Sequence, residues 1–148
     1  MATKLVRRAV KTSSAPRGEG AASQAVIINN RLHISGQCGF NYMTNDLDPE
    51  VDVQDQARIA LRNIGAILKE AGTSFDHVVE VTIALTDLEN DFTLVDLAYL
   101  ETFKPPYPAR TVYQVAALPK KAKVCISALA VIGILNKKSD KRSERNTK

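Results

Sequence analysis

The residue best placed to do chemistry is Arg110, which follows Pro105-Pro106-Tyr107-Pro108-Ala109. Prolines fix φ on the way in and limit where the next side chain points. A guanidinium held this way suits two parallel hydrogen bonds to a carboxylate. By position alone it suits equally a structural pairing with an acid, or a strand-end side chain reaching for water. Arg110, Val112 and Gln114 share one face of the strand that begins here. On the last strand Lys123, Cys125, Ser127 and Leu129 share a face. The turn Leu118-Pro119-Lys120-Lys121 between these strands is short, so the expectation is that they are neighbours. A pocket at Arg110 would then see Cys125 or Ser127.

Ser35-Gly36-Gln37-Cys38-Gly39 is a corner of small residues after a strand. Such backbone lets a ligand approach closely and offers N–H groups, although two glycines three apart are also an ordinary turn. Two cysteines, Cys38 and Cys125, are too few for a disulfide framework and lack partners at zinc-ligand spacing. His33 and His77 stand apart, so no metal or cofactor is expected. Lys123, two residues from Cys125 on one face, would favour its thiolate. The competing reading makes Cys125 a small buried apolar residue.

These residues need elements to position them. Lys4 to Val10, Ala25 to Ile28 and Leu32 to Ser35 read as short strands, with Asn29-Asn30 as a tight turn. Gly36 to Pro49 reads as loop. From Asp52 to Ala71 apolar residues recur at helical spacing, with Asp52 as N-cap and Gly72 just past the end. Val78 to Leu85 is rich in β-branched residues and reads as a strand. A second helix starts at Asn90 or Asp91, buries Phe92, Val95, Tyr99 and Phe103, and stops at Pro105-Pro106. Thr111 to Ala116 and Lys123 to Leu135 complete the set. The order β-β-β-α-β-α-β-β implies an α+β fold: a mixed sheet with two helices on one face. The other face calls for a cover, and further copies of the chain are a reasonable one.

A length of 148 residues with 45% apolar content suits one domain, residues 1–135. Asn136 to Lys148 holds six bases and two acids, which accounts for the whole net charge of +4. The body is therefore not a basic nucleic-acid reader. The tail reads first as solvated and disordered, and second as a contact for RNA, membrane or an import receptor. Met1 to Arg17 has five bases and no acid. This matches a mitochondrial transit peptide as well as an edge strand, and the strand is preferred. No apolar run approaches the roughly 20 residues of a membrane span. A cytoplasmic location is expected, with mitochondrial and nuclear alternatives open.

Over about Leu5 to Gly133 the chain resembles the RidA family of reactive-intermediate deaminases, also called the YjgF or L-PSP endoribonuclease family. The resemblance rests on Ser23-Gln24-Ala25-Val26, Ile34-Ser35-Gly36-Gln37, Gln56-Ala57 through Ala71-Gly72, and Asp91-Phe92. Its most specific part is Tyr107-Pro108-Ala109-Arg110 with Tyr113-Gln114-Val115-Ala116-Ala117-Leu118-Pro119-Lys120, and Leu5-Val6-Arg7-Arg8 reads like animal members. It implies a chorismate-mutase-like sheet of about six strands and a homotrimer with clefts between subunits. It implies hydrolysis of imines of small 2-oxo acids to the 2-oxo acid and ammonia, without a cofactor. It assigns the substrate carboxylate to Arg110 and the cleft lining to Ser35 and Gly36. RNA cleavage and translation inhibition, also attributed to members, find support here only in the tail.

The same resemblance marks departures. A usual loop tyrosine is Ala22, a usual asparagine is Asp96, and a frequent cysteine is Val112. The acid expected to orient or activate water is Cys125, and the next acid on that face is Ser127. A thiol with an ordinary pKa of about 8.5 exchanges protons near neutrality less well than a carboxylate. General acid–base help is typically worth about 10²–10⁴-fold, so a weakened enzyme is expected. Cys125 remains the candidate for that role. Asp96 either substitutes in the cleft or repels an anionic substrate. A non-catalytic carboxylate binder on this scaffold is the rival expectation.

Overall fold

The computed structural model describes residues 4–18 and 20–136, so the basic tail called over residues 136–148 lies, beyond Asn136, outside the described residues. The chain forms β1 (Arg7–Val10), β2 (Ala25–Ile28), β3 (Arg31–Cys38), α1 (Val53–Glu70), β4 (Val78–Leu85), α2 (Leu88–Thr102), β5 (Ala109–Gln114) and β6 (Val124–Val131). Its strands build one six-stranded mixed sheet in the order β1-β2-β3-β6-β4-β5. Among the described residues only β4 and β5 pair in parallel, with α2 as their crossover. This is the expected α+β architecture.

Both helices lie on one face of the sheet. In α1, Ala57, Ala60, Leu61, Ile64, Ile67 and Leu68 form a buried stripe. It shares one core with Leu32, Ile34, Val81, Ile83, Val124, Ile126 and Ala130. Each fully buried Leu or Ile here contributes about 1.5–3 kcal/mol. Asp52 caps the helix through the Asp55 N–H, and Gly72 leaves it at φ +80°. Two buried polar side chains tie α1 to the sheet ends. Asn63 Nδ2 donates to the Cys38 and Phe40 carbonyls at 3.3 and 3.0 Å, and Gln56 Oε1 accepts from the Lys123 N–H at 3.0 Å.

Four local expectations need correction. Strand β3 does not stop at Ser35. A bulge between Ile34 and Gln37 absorbs Ser35-Gly36 and lets pairing resume through Cys38. Helix α2 starts at Leu88 rather than after Asn90 or Asp91, because Asp87 accepts the Asn90 N–H and Gln114 Oε1 accepts the Leu88 N–H. Phe92 stays 38% exposed, and Ala98 joins Val95 and Tyr99 in its stead. Most consequentially, β5 and β6 are not neighbours. The α2 crossover sets β5 outside β4, and the chain then returns to pair β6 with the other edge of β4.

Candidate functional site

Strand register decides which residues share a surface. Arg110 pairs with Val81, Val81 with Ala128, and Ala128 with Ile34. Val81, Ala128 and Ile34 are all buried, so this row faces the helices. Tyr113 pairs with Ala84, Ala84 with Cys125, and Cys125 with Cys38. That row lies on the opposite, uncovered face. Arg110 and Cys125 therefore occupy opposite faces of the sheet, with β4 between their strands. The expected pocket joining Arg110 to Cys125 or Ser127 within one chain does not exist.

The Arg110 half-site is built against α2. Arg110 Nη1 donates to Asp96 Oδ1 at 2.6 Å, with side-chain exposures of 25% and 32%. Its guanidinium carbon lies 4.6 Å from the Tyr99 ring centroid and 5.8 Å from that of Phe92. Such a cation–π contact is worth about 0.5–2 kcal/mol. A cavity of about 220 Å³ opens here, lined by Asp96, Tyr99, Leu100, Tyr107, Pro108 and Arg110. Burial raises the Tyr99 pKa above its ordinary value, and the Tyr99 hydroxyl is buried without a hydrogen-bond partner. Val112, on the same side as Arg110, packs against the core.

The second half-site sits at the β3 bulge. The Ser35 hydroxyl donates to the Ser23 carbonyl at 2.7 Å. Gln24 fastens the preceding loop, since its Nε2 donates to the carbonyls of Thr12, Ala15 and Pro16. Ala22 lines a neighbouring cavity of about 470 Å³ with Lys11, Thr12 and Arg17. A Cβ on Gly36 would lie 2.6 Å from the Cys125 sulfur, so that sulfur rests against the glycine backbone. The Cys38 thiol donates a hydrogen bond to Cys125, which holds the Cys125 thiol below its usual pKa despite partial burial. Ser35, Gly36 and Cys125 are thus brought together, whereas Arg110 and Asp96 form a separate group. Among the described residues no cluster of His, Cys, Asp or Glu is arranged to hold a metal. No helix among them is long and apolar enough to cross a membrane.

Reading the sequence missed Tyr99 as the platform under Arg110 and Cys38 as the partner of Cys125. The Tyr99 signal was its place three residues after Asp96, one turn along the same helix. Cys38 carried no local signal, because its pairing depends on the bulge.

A six-stranded mixed sheet with two helices on one face and an arginine on the edge strand defines the class. Residues 12–132 match the model of the family described as Endoribonuclease L-PSP. The chain belongs to this family. A goat (Capra hircus) protein named 2-iminobutanoate/2-iminopropanoate deaminase is 47% identical over 131 residues, covering 88% of this chain and 94% of that protein. The human protein of the same name is 44% identical over 131 residues, with the same coverage. The crystal structure of RidA from the Antarctic bacterium Psychrobacter superposes with a TM-score of 0.79 at 39% identity, covering 84% of this chain and 99% of that one.

Proposed function

We propose that this chain hydrolyses imines of small 2-oxo acids, such as 2-iminopropanoate and 2-iminobutanoate, to the 2-oxo acid and ammonia. The carrying observation is the place of Arg110, 4.6 Å over the Tyr99 ring and lining an open cavity. This suits a fixed grip on a substrate carboxylate, and relatives of high identity bear the matching name. Water adds to the imine carbon, the nitrogen of the resulting carbinolamine takes a proton, and ammonia leaves as the carbonyl forms. Cys125, beside Ser35 and Gly36, is the group that exchanges protons with this water.

The two half-sites lie on opposite sheet faces, so the complete cleft belongs to an assembly. We place it between copies in a homotrimer, with Arg110 from one chain meeting Ser35, Gly36 and Cys125 of the next. The uncovered face, with Leu129 and Val131 beside Thr82 and Ser127, supplies the contact surface. A cytoplasmic setting fits this chemistry, and any RNA contact falls to the basic tail.

The test is ammonia release from 2-iminopropanoate generated in situ, run beside sedimentation velocity. Wild-type turnover above the uncatalysed rate, lost in Arg110→Ala, supports the proposal. Loss of one charge-assisted contact predicts a fall in kcat/KM of roughly 10- to 150-fold. Turnover at the background rate would leave the second reading, a carboxylate binder. Two observations favour that reading: a thiol stands where an acid would serve better, and Asp96 already occupies the arginine. It predicts pyruvate binding that depends on Arg110 without ammonia release. A monomeric protein that still turns over would refute the shared cleft.

A further inference from the structure

We infer that Cys38 and Cys125 are an oxidation site: a dithiol that a hydroperoxide converts into a disulfide within one chain. Its effect on turnover rests on the role proposed above for Cys125, but its formation does not.

The two residues are direct register partners on antiparallel β3 and β6. Facing residues in such ladders have Cα atoms about 4.5–5.5 Å apart. Disulfides span about 4.4–6.8 Å between Cα atoms, so no strand has to move. Register partners project to the same side, and both cysteines pack in one small cluster with Phe40 and Ala122. The same closeness lets the Cys38 thiol favour the Cys125 thiolate. Exposure divides the roles. Cys125 is half-buried and rests against the Gly36 backbone, whereas Cys38 is only 5% exposed. A peroxide therefore meets Cys125 first, and Cys38 waits behind it.

The Cys125 thiolate attacks one peroxide oxygen. The O–O bond breaks, and the departing oxygen takes a proton and leaves as water or an alcohol. Cys125 is then a sulfenic acid. The Cys38 sulfur gives up its proton and attacks the Cys125 sulfur. The S–O bond breaks, the hydroxyl leaves as water, and the disulfide forms. Two thiols lose two electrons in total, and the peroxide gains both. In the oxidised chain Cys125 has no proton left to exchange.

The experiment treats the reduced full-length protein with one equivalent of hydrogen peroxide. Intact mass and non-reducing peptide mapping follow. The expected result is a loss of two hydrogen masses and a linked Cys38–Cys125 peptide, with one chain per band on a denaturing, non-reducing gel. Dithiothreitol restores the original mass. In Cys38→Ser the same dose adds oxygen at Cys125 instead. Wild-type protein that gains sulfinic or sulfonic acid at Cys125 while Cys38 still alkylates would overturn the inference, as would disulfides between chains. The mass readout needs no substrate, so it stands or falls independently of imine hydrolysis. A disulfide that forms without lowering turnover would confirm the oxidation site and remove Cys125 from the reaction.

Discussion

Asp96 Oδ1 accepts a hydrogen bond from Arg110 Nη1 at 2.6 Å, so the guanidinium proposed to bind an anion already holds one. The arrangement is double-edged. Asp96 and Tyr99 lie on the same helix and together aim the arginine, yet a ligand carboxylate arrives beside an existing negative charge. Replacing the carboxylate with an amide keeps a hydrogen-bond acceptor and removes the repulsion. Asp96→Asn is expected to tighten pyruvate binding by roughly two- to fivefold, in line with the modest worth of partly exposed pairs. Isothermal titration at low salt reads this directly. Weaker binding would mean that Asp96 acts chiefly by positioning Arg110.

Little of that relationship was legible beforehand. Arg110 stood out because prolines precede it, and Asp96 because it departs from a family pattern. Their contact joins an edge strand to a helix, and no spacing rule relates the two. The elements themselves were clearer. Val53 to Glu70 repeats its apolar residues with a helical period, and Val78 to Leu85 runs as a β-branched stretch, so both were readable in place. The failure came at the order of strands. A short connection usually joins neighbours, but residues 115–123 carry the chain from β5 past β4 to β6. That order puts β4 between the two strands, and the register across it leaves Cys125 on the opposite face from Arg110. It replaces a supposed pocket within one chain with two separate groups of residues on opposite faces of the sheet.

Gly36 is the position where backbone and thiol leave each other least room. A methyl group there would sit 2.6 Å from the Cys125 sulfur, so the thiol must rotate away. Rotation about one side-chain bond is a small conformational change, and the strand already bulges at this point. Gly36→Ala is therefore expected to lower kcat by at least tenfold, if displaced proton transfer costs part of the roughly 10²–10⁴-fold such groups supply. The urea midpoint should move much less. Equal losses of stability and turnover would assign the glycine to folding alone.

Helix α2 presents Asp96 and Tyr99, so its first turn matters to the site. The Asp87 side chain accepts from both the backbone and side-chain N–H groups of Asn90, which lowers its pKa below the usual carboxylate range. The sign follows from linkage. A carboxylate with a depressed folded pKa stabilises the fold at pH values above its unfolded pKa, and loses that effect as the pH falls through the folded value. Asp87→Ala is expected to be less stable than wild type at neutral pH. The difference should shrink in strongly acidic buffer. Urea unfolding of both proteins across this range checks it, and a gap independent of pH would argue against the cap.

The Cys125 thiol offers the most direct chemical readout of the second half-site. Its hydrogen bond from Cys38 favours the thiolate, partial burial opposes it, and the first effect is the larger. Only the thiolate reacts with iodoacetamide, so the alkylation rate follows its ionisation. The rate at Cys125, read by peptide mass, is expected to rise to a plateau at lower pH than for an unperturbed cysteine. In Cys38→Ala the hydrogen bond is gone while burial remains, which shifts the profile toward higher pH. The reaction of Cys125 at pH 7 should then slow, even with the small Ala side chain giving the reagent more room. An unchanged profile in Cys38→Ala would show that the thiol pair does not set the acidity of Cys125. In that case the Ser35–Gly36 backbone would be the next group to test.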